Sequence, residues 1–445
     1  HAAAAFYAAT SIKVYIFDGA ISTPALSFAL RHLNAASGYM FSDSHNLPTD
    51  NGKKVYEQHG GQLIPPDDQI LVDEVTKNVK EIKSMNFDEA KENGLIAYVG
   101  EEVDTAFLEA VCNVSLSEER GVDISYAPLH GTGLSSIYPA LQKLGFNITL
   151  DARTSNLSGN FENVTFNIPN PEVVESFETS ISFAEEINAD LIISSDPDAD
   201  RIGVMARHDN SYRFVNGNEI GIVLTNYVIS KHKAEGTLDP NSVVIKTGVT
   251  TSLIEGIAQE NNIHCIADLL VGFKYIGDEM NKLENEGRIQ DFIIGAEESH
   301  GILTGDYCRD KDAAGAAVWI GELAAELKKA GKTLIDYLDE IYCRYGYCHN
   351  YLTEIRLLGA KGMEQIADIM THLRDNPVES FGEFVVQEKI DRWEGEPQPH
   401  LSITDTASRN VLIFKIGRLR DTKNIKVTVR PSGTEPKIKM YFEVY

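Results

Sequence analysis

Three features of the sequence predict an α/β fold of three modules followed by a smaller α+β domain. Apolar β-branched runs alternate with segments whose apolar residues recur at helical spacing. That alternation restarts twice, and towards the C-terminus it gives way to closely spaced strands. At roughly 150 residues per domain, 445 residues favour about three domains and admit two or four.

In the first module the spacing predicts a strand over 11–17 that ends in Asp18-Gly19. A helix follows over 23–36, opened by Thr23-Pro24, since proline is pre-set for the first helical turn. A short apolar strand over 38–41 runs directly into Ser42-Asp43-Ser44-His45-Asn46, and a second helix is expected over 67–82. The second module reads as strands over 122–127, 147–150 and 190–194, with helices over 133–144 and 175–188. The third reads as strands over 242–246, 264–269 and 291–294, with helices over 250–262, 274–286 and 313–330. Strand–helix alternation implies parallel pairing through crossovers. The tail reads as a helix over 361–376 and strands over 411–416, 425–429 and 437–445. The expected domains are therefore 1–118, 119–216, 217–348 and 349–445, with no strong residue-level repeat among the first three.

Composition bounds the partners. Hydrophobic residues make up 43% and charged residues 24%, an ordinary globular balance. A net charge of -26 argues against nucleic acid, which needs a basic face. An anionic substrate would require the basic groups to be gathered in one cleft. The five cysteines are odd in number and none has CxxC spacing, which fits a reducing, cytoplasmic setting. Cys343, Cys348 and His349 lie close in sequence but read as ordinary residues rather than a zinc site. No apolar run approaches the ~20 residues of a membrane span. The alanine-rich start lacks the basic region of a signal peptide and reads as beginning inside a domain.

Four motifs carry chemistry. Ser44-His45-Asn46 follows a strand, at the edge where parallel sheets bind ligands, so Ser44 is a candidate nucleophile or phosphate carrier. Lys54 follows Asn51-Gly52, a turn that could fold it back towards Ser44; taken alone the segment reads rather as a surface turn with a helix cap. Asp196-Pro197-Asp198-Ala199-Asp200-Arg201 places three carboxylates at alternate positions beside a buried strand. Such hard oxygen ligands suit magnesium, and the like charges repel unless something neutralises them. Arg201 stands where an EF-hand needs glycine. Gly295-Ala296-Glu297-Glu298-Ser299-His300-Gly301 offers acids and a hydroxyl suited to sugar hydroxyls, with Arg309 and Lys311 as nearby cations. Arg430-Pro431-Ser432-Gly433-Thr434 combines a forked donor, two hydroxyls and backbone amides, as a phosphate requires.

With these motifs in this order, the chain resembles the α-D-phosphohexomutase superfamily of phosphoglucomutases, phosphomannomutases and phosphoglucosamine mutases, over nearly its whole length. The resemblance implies three related α/β modules with mixed sheets and a C-terminal α+β domain around a central cleft. It implies a phosphoserine at Ser44, Mg2+ held by Asp196, Asp198, Asp200 and a phosphoserine oxygen, and proton transfer by Lys54, with Lys311 a second cleft lysine. His45 is the second choice of base. Arg201 is then a phosphate contact, and Glu297 and Ser299 read sugar hydroxyls, with His300 and Arg309 beside them. The Gly272–Lys274 loop changes partner with sugar orientation. Arg430, Ser432, Gly433 and Thr434 hold the idle phosphate.

The expected activity interconverts glucose 1-phosphate and glucose 6-phosphate, with glucose 1,6-bisphosphate as intermediate and activator. Alternatives are a phosphomannomutase, a phosphopentomutase, an aspartyl-phosphate phosphatase using Asp196, or a sugar-phosphate sensor without turnover. Small sugar phosphates are the expected partners, for a monomer or homodimer. The family commonly reads Thr-Ala-Ser-His-Asn-Pro where this chain has Ser42-Asp43-Ser44-His45-Asn46-Leu47. Asp43 should raise the cost of a phosphorylated neighbour.

Overall fold

The computed structural model describes residues 1–357, 359–417, 425–432 and 436–445. The second module is built on five strands in the order Asn147–Leu150, Asp123–Ala127, Leu191–Ser195, Ile202–His208 and Ser211–Val215. The first three are parallel and the last two antiparallel. Leu191–Ser195 lies inside the sheet and is buried at every position, which explains its unbroken apolar run. The third module repeats the plan with His264–Leu269, Val243–Thr247 and Phe292–Glu297 parallel, closed by antiparallel Gly301–Leu303. These are mixed sheets rather than the purely parallel ones that strand–helix alternation suggests. The closing hairpin strands follow the acidic loops with no helix between.

The first module's strands form two separate pairs. Val14–Ile16 lies parallel to Ile96–Tyr98, while Ser37–Phe41 pairs antiparallel with Lys53–Glu57. The C-terminal domain is a six-stranded antiparallel sheet in which Lys437–Val444 lies between His349–Arg356 and Ile425–Pro431. The helix Gly359–Asp375 packs on it through Ile366 and Met370.

Several predicted helices differ in detail. The one expected over 67–82 ends at Lys77, and the one expected over 175–188 opens as a 3-10 turn, Val174–Phe177, before Glu178–Glu186. The one expected over 23–36 stops at Thr23–His32, because Asn34 turns left-handed. The one expected over 133–144 divides at Ser136 into a 3-10 turn, Thr132–Ser135, and Ile137–Lys143. A 19-residue helix, Gly217–Glu235, was not predicted. It begins with an Asn216–Glu219 capping box, a local signal that the sequence does contain. This helix and Ala313–Lys329 fill the largest apolar core. Ile124, Leu141, Val204, Ile220, Ile254 and Trp319 share it, so the second and third modules are packed as one body. The C-terminal domain keeps a core of its own.

Candidate active site

The carboxyl ends of three strands, one per module, meet at a cleft. Ser37–Phe41 delivers Ser44, Leu191–Ser195 delivers Asp196, and Phe292–Glu297 delivers the EESHG loop. Met40 lies opposite Lys54 in the first hairpin, which is how the turn returns that lysine to the serine. At the hairpin neck a Cβ on Gly52 would lie 2.3 Å from the Ser42 carbonyl oxygen, so no other residue fits there. Ser44 itself adopts φ 56°, a left-handed conformation that is uncommon for a non-glycine residue. Its N–H donates to Ser42 Oγ at 2.9 Å. This turn points Ser44 Oγ at Asp196 Oδ2, 2.7 Å away, and leaves it 3.1 Å from His45 Nδ1. Asp43 accepts from Asn46 Nδ2 at 3.0 Å within its own loop.

The acidic loop is held by backbone donors at helix starts, where N–H groups lack partners within the helix. The Pro197 carbonyl accepts from Thr132 N at 2.9 Å and Thr132 Oγ1 at 2.8 Å. The Asp198 carbonyl accepts from Thr23 N at 2.9 Å and the Ala199 carbonyl from Ala313 N at 3.3 Å. Thr132 and its neighbour Gly131 were missed in the sequence. Nothing local marks them, because they act on a loop 65 residues away.

Two lysines neutralise this loop. Lys54 Nζ contacts Asp198 Oδ2 at 2.5 Å and Asp200 Oδ2 at 3.2 Å, and Lys311 Nζ contacts Asp200 Oδ2 at 3.0 Å. Burial would lower the Lys54 amine, but Asp200 and Asp198 outweigh it and hold it protonated, above its ordinary range. Asp200 goes well below the ordinary carboxylate range, because Lys311, Lys54 and Arg201 outweigh its burial. Asp196 is pushed the other way, up to about 8, by burial and by repulsion from Asp200 and Asp198.

The loop fits a hard divalent cation in its donor chemistry. It offers carboxylate oxygens beside a seryl oxygen, an excess of negative charge felt at Asp196, and a buried Asp200 Oδ1 with no hydrogen-bond partner. Among the described residues the carboxylates are turned onto the two lysines and two serines, and no three acidic, His or Cys side chains already converge as a metal cluster.

The remaining predicted residues divide into two groups. Glu297 is buried at the end of its strand, and Ser299 is half-buried on the loop beyond it. Glu298 is pushed up to about 7 by burial and by Glu297, partly offset by Arg430. Arg430, next to last in its strand, donates to the Tyr441 hydroxyl at 3.3 Å, and Ser432 N donates to the Lys437 carbonyl at 2.8 Å. Gly433 and Thr434 lie outside the described residues. Arg201 pairs with Glu172, and its buried Nε has no hydrogen-bond partner.

Three residues are engaged elsewhere. Arg309, expected at the substrate, is 1% exposed. Its guanidinium bonds Asn281, Glu284 and the carbonyls of Asp306 and Cys308, which makes it a rivet to the first module, where Arg31 shares Glu284. His300 is buried, and its Nδ1–H donates to the Ile202 carbonyl at 2.8 Å, pinning the loop to the second module. Lys274, after the left-handed Gly272, pairs with Asp68 at 3.4 Å.

Two cleft charges escaped the sequence reading. Glu172 is drawn down to about 2, because Arg201, with help from His45, His300 and Lys439, outweighs its burial. Lys439 on the last strand acts on both Glu172 and Glu298. Neither lies in a recognisable motif; only the assembled cleft joins them.

Comparison with known proteins agrees with this architecture. Family models described as phosphoglucomutase/phosphomannomutase alpha/beta/alpha domains I, II and III match residues 1–81, 105–209 and 216–345. A phosphoglucomutase of Staphylococcus saprophyticus is 32% identical over 99% of this chain and 79% of its own length. One from Staphylococcus epidermidis is 34% identical over 98% and 78%. Among solved structures, a putative phosphomannomutase from Thermus thermophilus shares the fold at TM-score 0.69 and 19% identity, covering 98% of this chain and 80% of that one. The open form of the Paramecium phosphoprotein parafusin, a phosphoglucomutase, does so at TM-score 0.66 and 15% identity, covering 98% and 78%. Identity of about one third, sustained across all three modules and the C-terminal sheet, decides the matter: this chain belongs to the phosphoglucomutase/phosphomannomutase family.

Proposed function

We propose that this phosphohexomutase interconverts glucose 1-phosphate and glucose 6-phosphate through a phosphoryl group carried on Ser44. The observation that carries the proposal is the aim of Ser44 Oγ at Asp196 Oδ2, 2.7 Å away, inside a loop of three carboxylates. Asp196, Asp198 and Asp200 would hold Mg2+ with an oxygen of the phosphorylated serine. Bound there, the ion offsets charge on the transferring group.

A free sugar hydroxyl attacks phosphorus, and the bond from phosphorus to Ser44 Oγ breaks. The proton lost by the sugar hydroxyl passes through a cleft base to Ser44 Oγ, which leaves as the free hydroxyl. His45 Nδ1 faces Ser44 Oγ at 3.1 Å, on the side of the leaving oxygen. Burial, with a contribution from Arg201, lowers its pKa to about 3, so the imidazole is uncharged and a weak base, placed to hydrogen-bond Oγ rather than to take the sugar proton. Lys54 was the first choice from sequence. It is held charged by Asp198 and Asp200, and serves better as a cation towards the moving phosphoryl group. The resulting glucose 1,6-bisphosphate turns over, and its other phosphate returns to Ser44. Glu297 and Ser299 read the sugar hydroxyls, and Arg430 with the loop that follows it holds the idle phosphate in either orientation. The separate core of the C-terminal domain suits that domain to swing and exclude water.

The test is a coupled assay for glucose 6-phosphate from glucose 1-phosphate, primed with glucose 1,6-bisphosphate, with and without Mg2+. Turnover of ribose phosphates but not glucose phosphates would reject the substrate. Peptide mapping that placed the phosphoryl group on Asp196 would reject the serine carrier in favour of phosphatase chemistry.

A further inference from the structure

Both cleft lysines are wired to one buried acid that the chemistry above leaves unused. Asp310 is 1% exposed. Its Oδ2 accepts from Tyr56 OH at 2.7 Å and from Gln62 Nε2 at 2.9 Å, and its Oδ1 accepts from Lys311 N at 2.9 Å. Lys311 Nζ lies 3.5 Å from the same Oδ1 and 3.0 Å from Asp200. Tyr56 is fully buried on the strand Lys53–Glu57, two residues from Lys54 and so on the same face of that strand. The first module's hairpin therefore reaches the third module through Tyr56, and Asp310 is where it arrives.

We propose that Asp310 is a positioning residue for the phosphoryl transfer: through Tyr56 it fixes the strand that carries Lys54, and directly it fixes Lys311, so that both ammonium groups are set against the acidic loop by one carboxylate. The carboxylate orders alternate in charge along the line Asp198, Lys54, Asp200, Lys311, Asp310. Taking the last charge away lets Lys311 lean wholly on Asp200 and lets the hairpin drift. Neither change touches the substrate. Misplacement of about 1 Å costs on the order of a hundredfold in rate, because the loss falls on transition-state geometry rather than on binding.

The proposal rests on the mutase reading, and its test separates the two. In the full chain, Asp310→Asn keeps size and an acceptor while removing the charge; Tyr56→Phe removes one hydroxyl and is the milder probe. With wild type active, Asp310→Asn is expected to lower kcat about tenfold or more with KM within about twofold, and Tyr56→Phe to do so less. In a Lys311→Met background, Asp310→Asn should add less than about threefold, since the two act as a unit.

A second readout needs no activity. Acetic anhydride labelling mapped by mass spectrometry should find Lys54 and Lys311 protected in wild type and both exposed in Asp310→Asn at an unchanged melting temperature. Full activity in Asp310→Asn, an equal loss in both backgrounds, or unaltered protection of the lysines would overturn the proposal. An inactive wild type that nevertheless loses lysine protection on Asp310→Asn would overturn the mutase reading and leave the positioning role standing.

Discussion

The two ends of the cleft handle charge differently. At the acidic loop, three carboxylates meet two lysines, nearly every group is buried, and partners lie at 2.5–3.2 Å. At the other end, Arg430 and Lys439 come from strands of the C-terminal domain and Glu298 and Ser299 from the third module, and Arg430 reaches Tyr441 OH at 3.3 Å. The first end is preorganised and costs stability to maintain. The second joins two domains that keep separate cores.

The sharpest way to break this contrast is Ser44→Ala, which should reduce turnover about a thousandfold or more and remove the phosphopeptide seen by mass mapping. Next comes Asp200→Asn, which removes the negative charge shared by Lys54 and Lys311. It should lower activity about a hundredfold and cost about 3 kcal/mol of stability by denaturant titration. That is the low end for breaking a buried pair, because Lys54 keeps Asp198 and Lys311 keeps Asp310. At the open end, Arg430→Lys should raise KM about tenfold and change kcat less, because the fork is lost and the charge kept. The same loss in kcat as from Asp200→Asn would erase the distinction.

Smaller still is the pH effect of Glu298. Its folded pKa of about 7 lies above the ordinary value of 4.5, so folding favours the protonated acid. That contribution is complete below pH 4.5 and is lost as pH rises towards 7. Relative to Glu298→Gln, wild type should lose melting temperature between those limits, by about 2–4 °C. Smallest is Glu284→Gln in the rivet with Arg31 and Arg309. The hydrogen bond from Arg31 and the charge of Arg309 draw Glu284 down to about 2, so its stabilisation is present above pH 4.5 and fades as pH falls towards 2. The side chain is 37% exposed, so solvent screens much of the effect, and about 1 °C at neutral pH is expected.

What the sequence disclosed follows the same division. Elements with strong local signals were legible: the strand His264–Leu269 and the helix Ala313–Lys329 lie where periodicity puts them. So were the residues of the acidic loop, because like charges beside a buried strand demand a counterion. Arg309 misled because an arginine close in sequence to the Glu297–Gly301 loop looks available, and only the fold shows Asn281 and Glu284 taking its donors. Glu172, Lys439 and Thr132 were invisible for the converse reason. Each acts on a partner far along the chain, and no spacing rule reports a contact that three modules make together.

The carbonyls of Pro197, Asp198 and Ala199 are each gripped from a different module: by Thr132, Thr23 and Ala313. A module excised for separate study, or replaced by a homologous one in a chimera, would take one of these three grips with it. The acidic loop would then lose its shape even with all three aspartates present. Transplanting this chemistry therefore means transplanting three helix beginnings, not one motif.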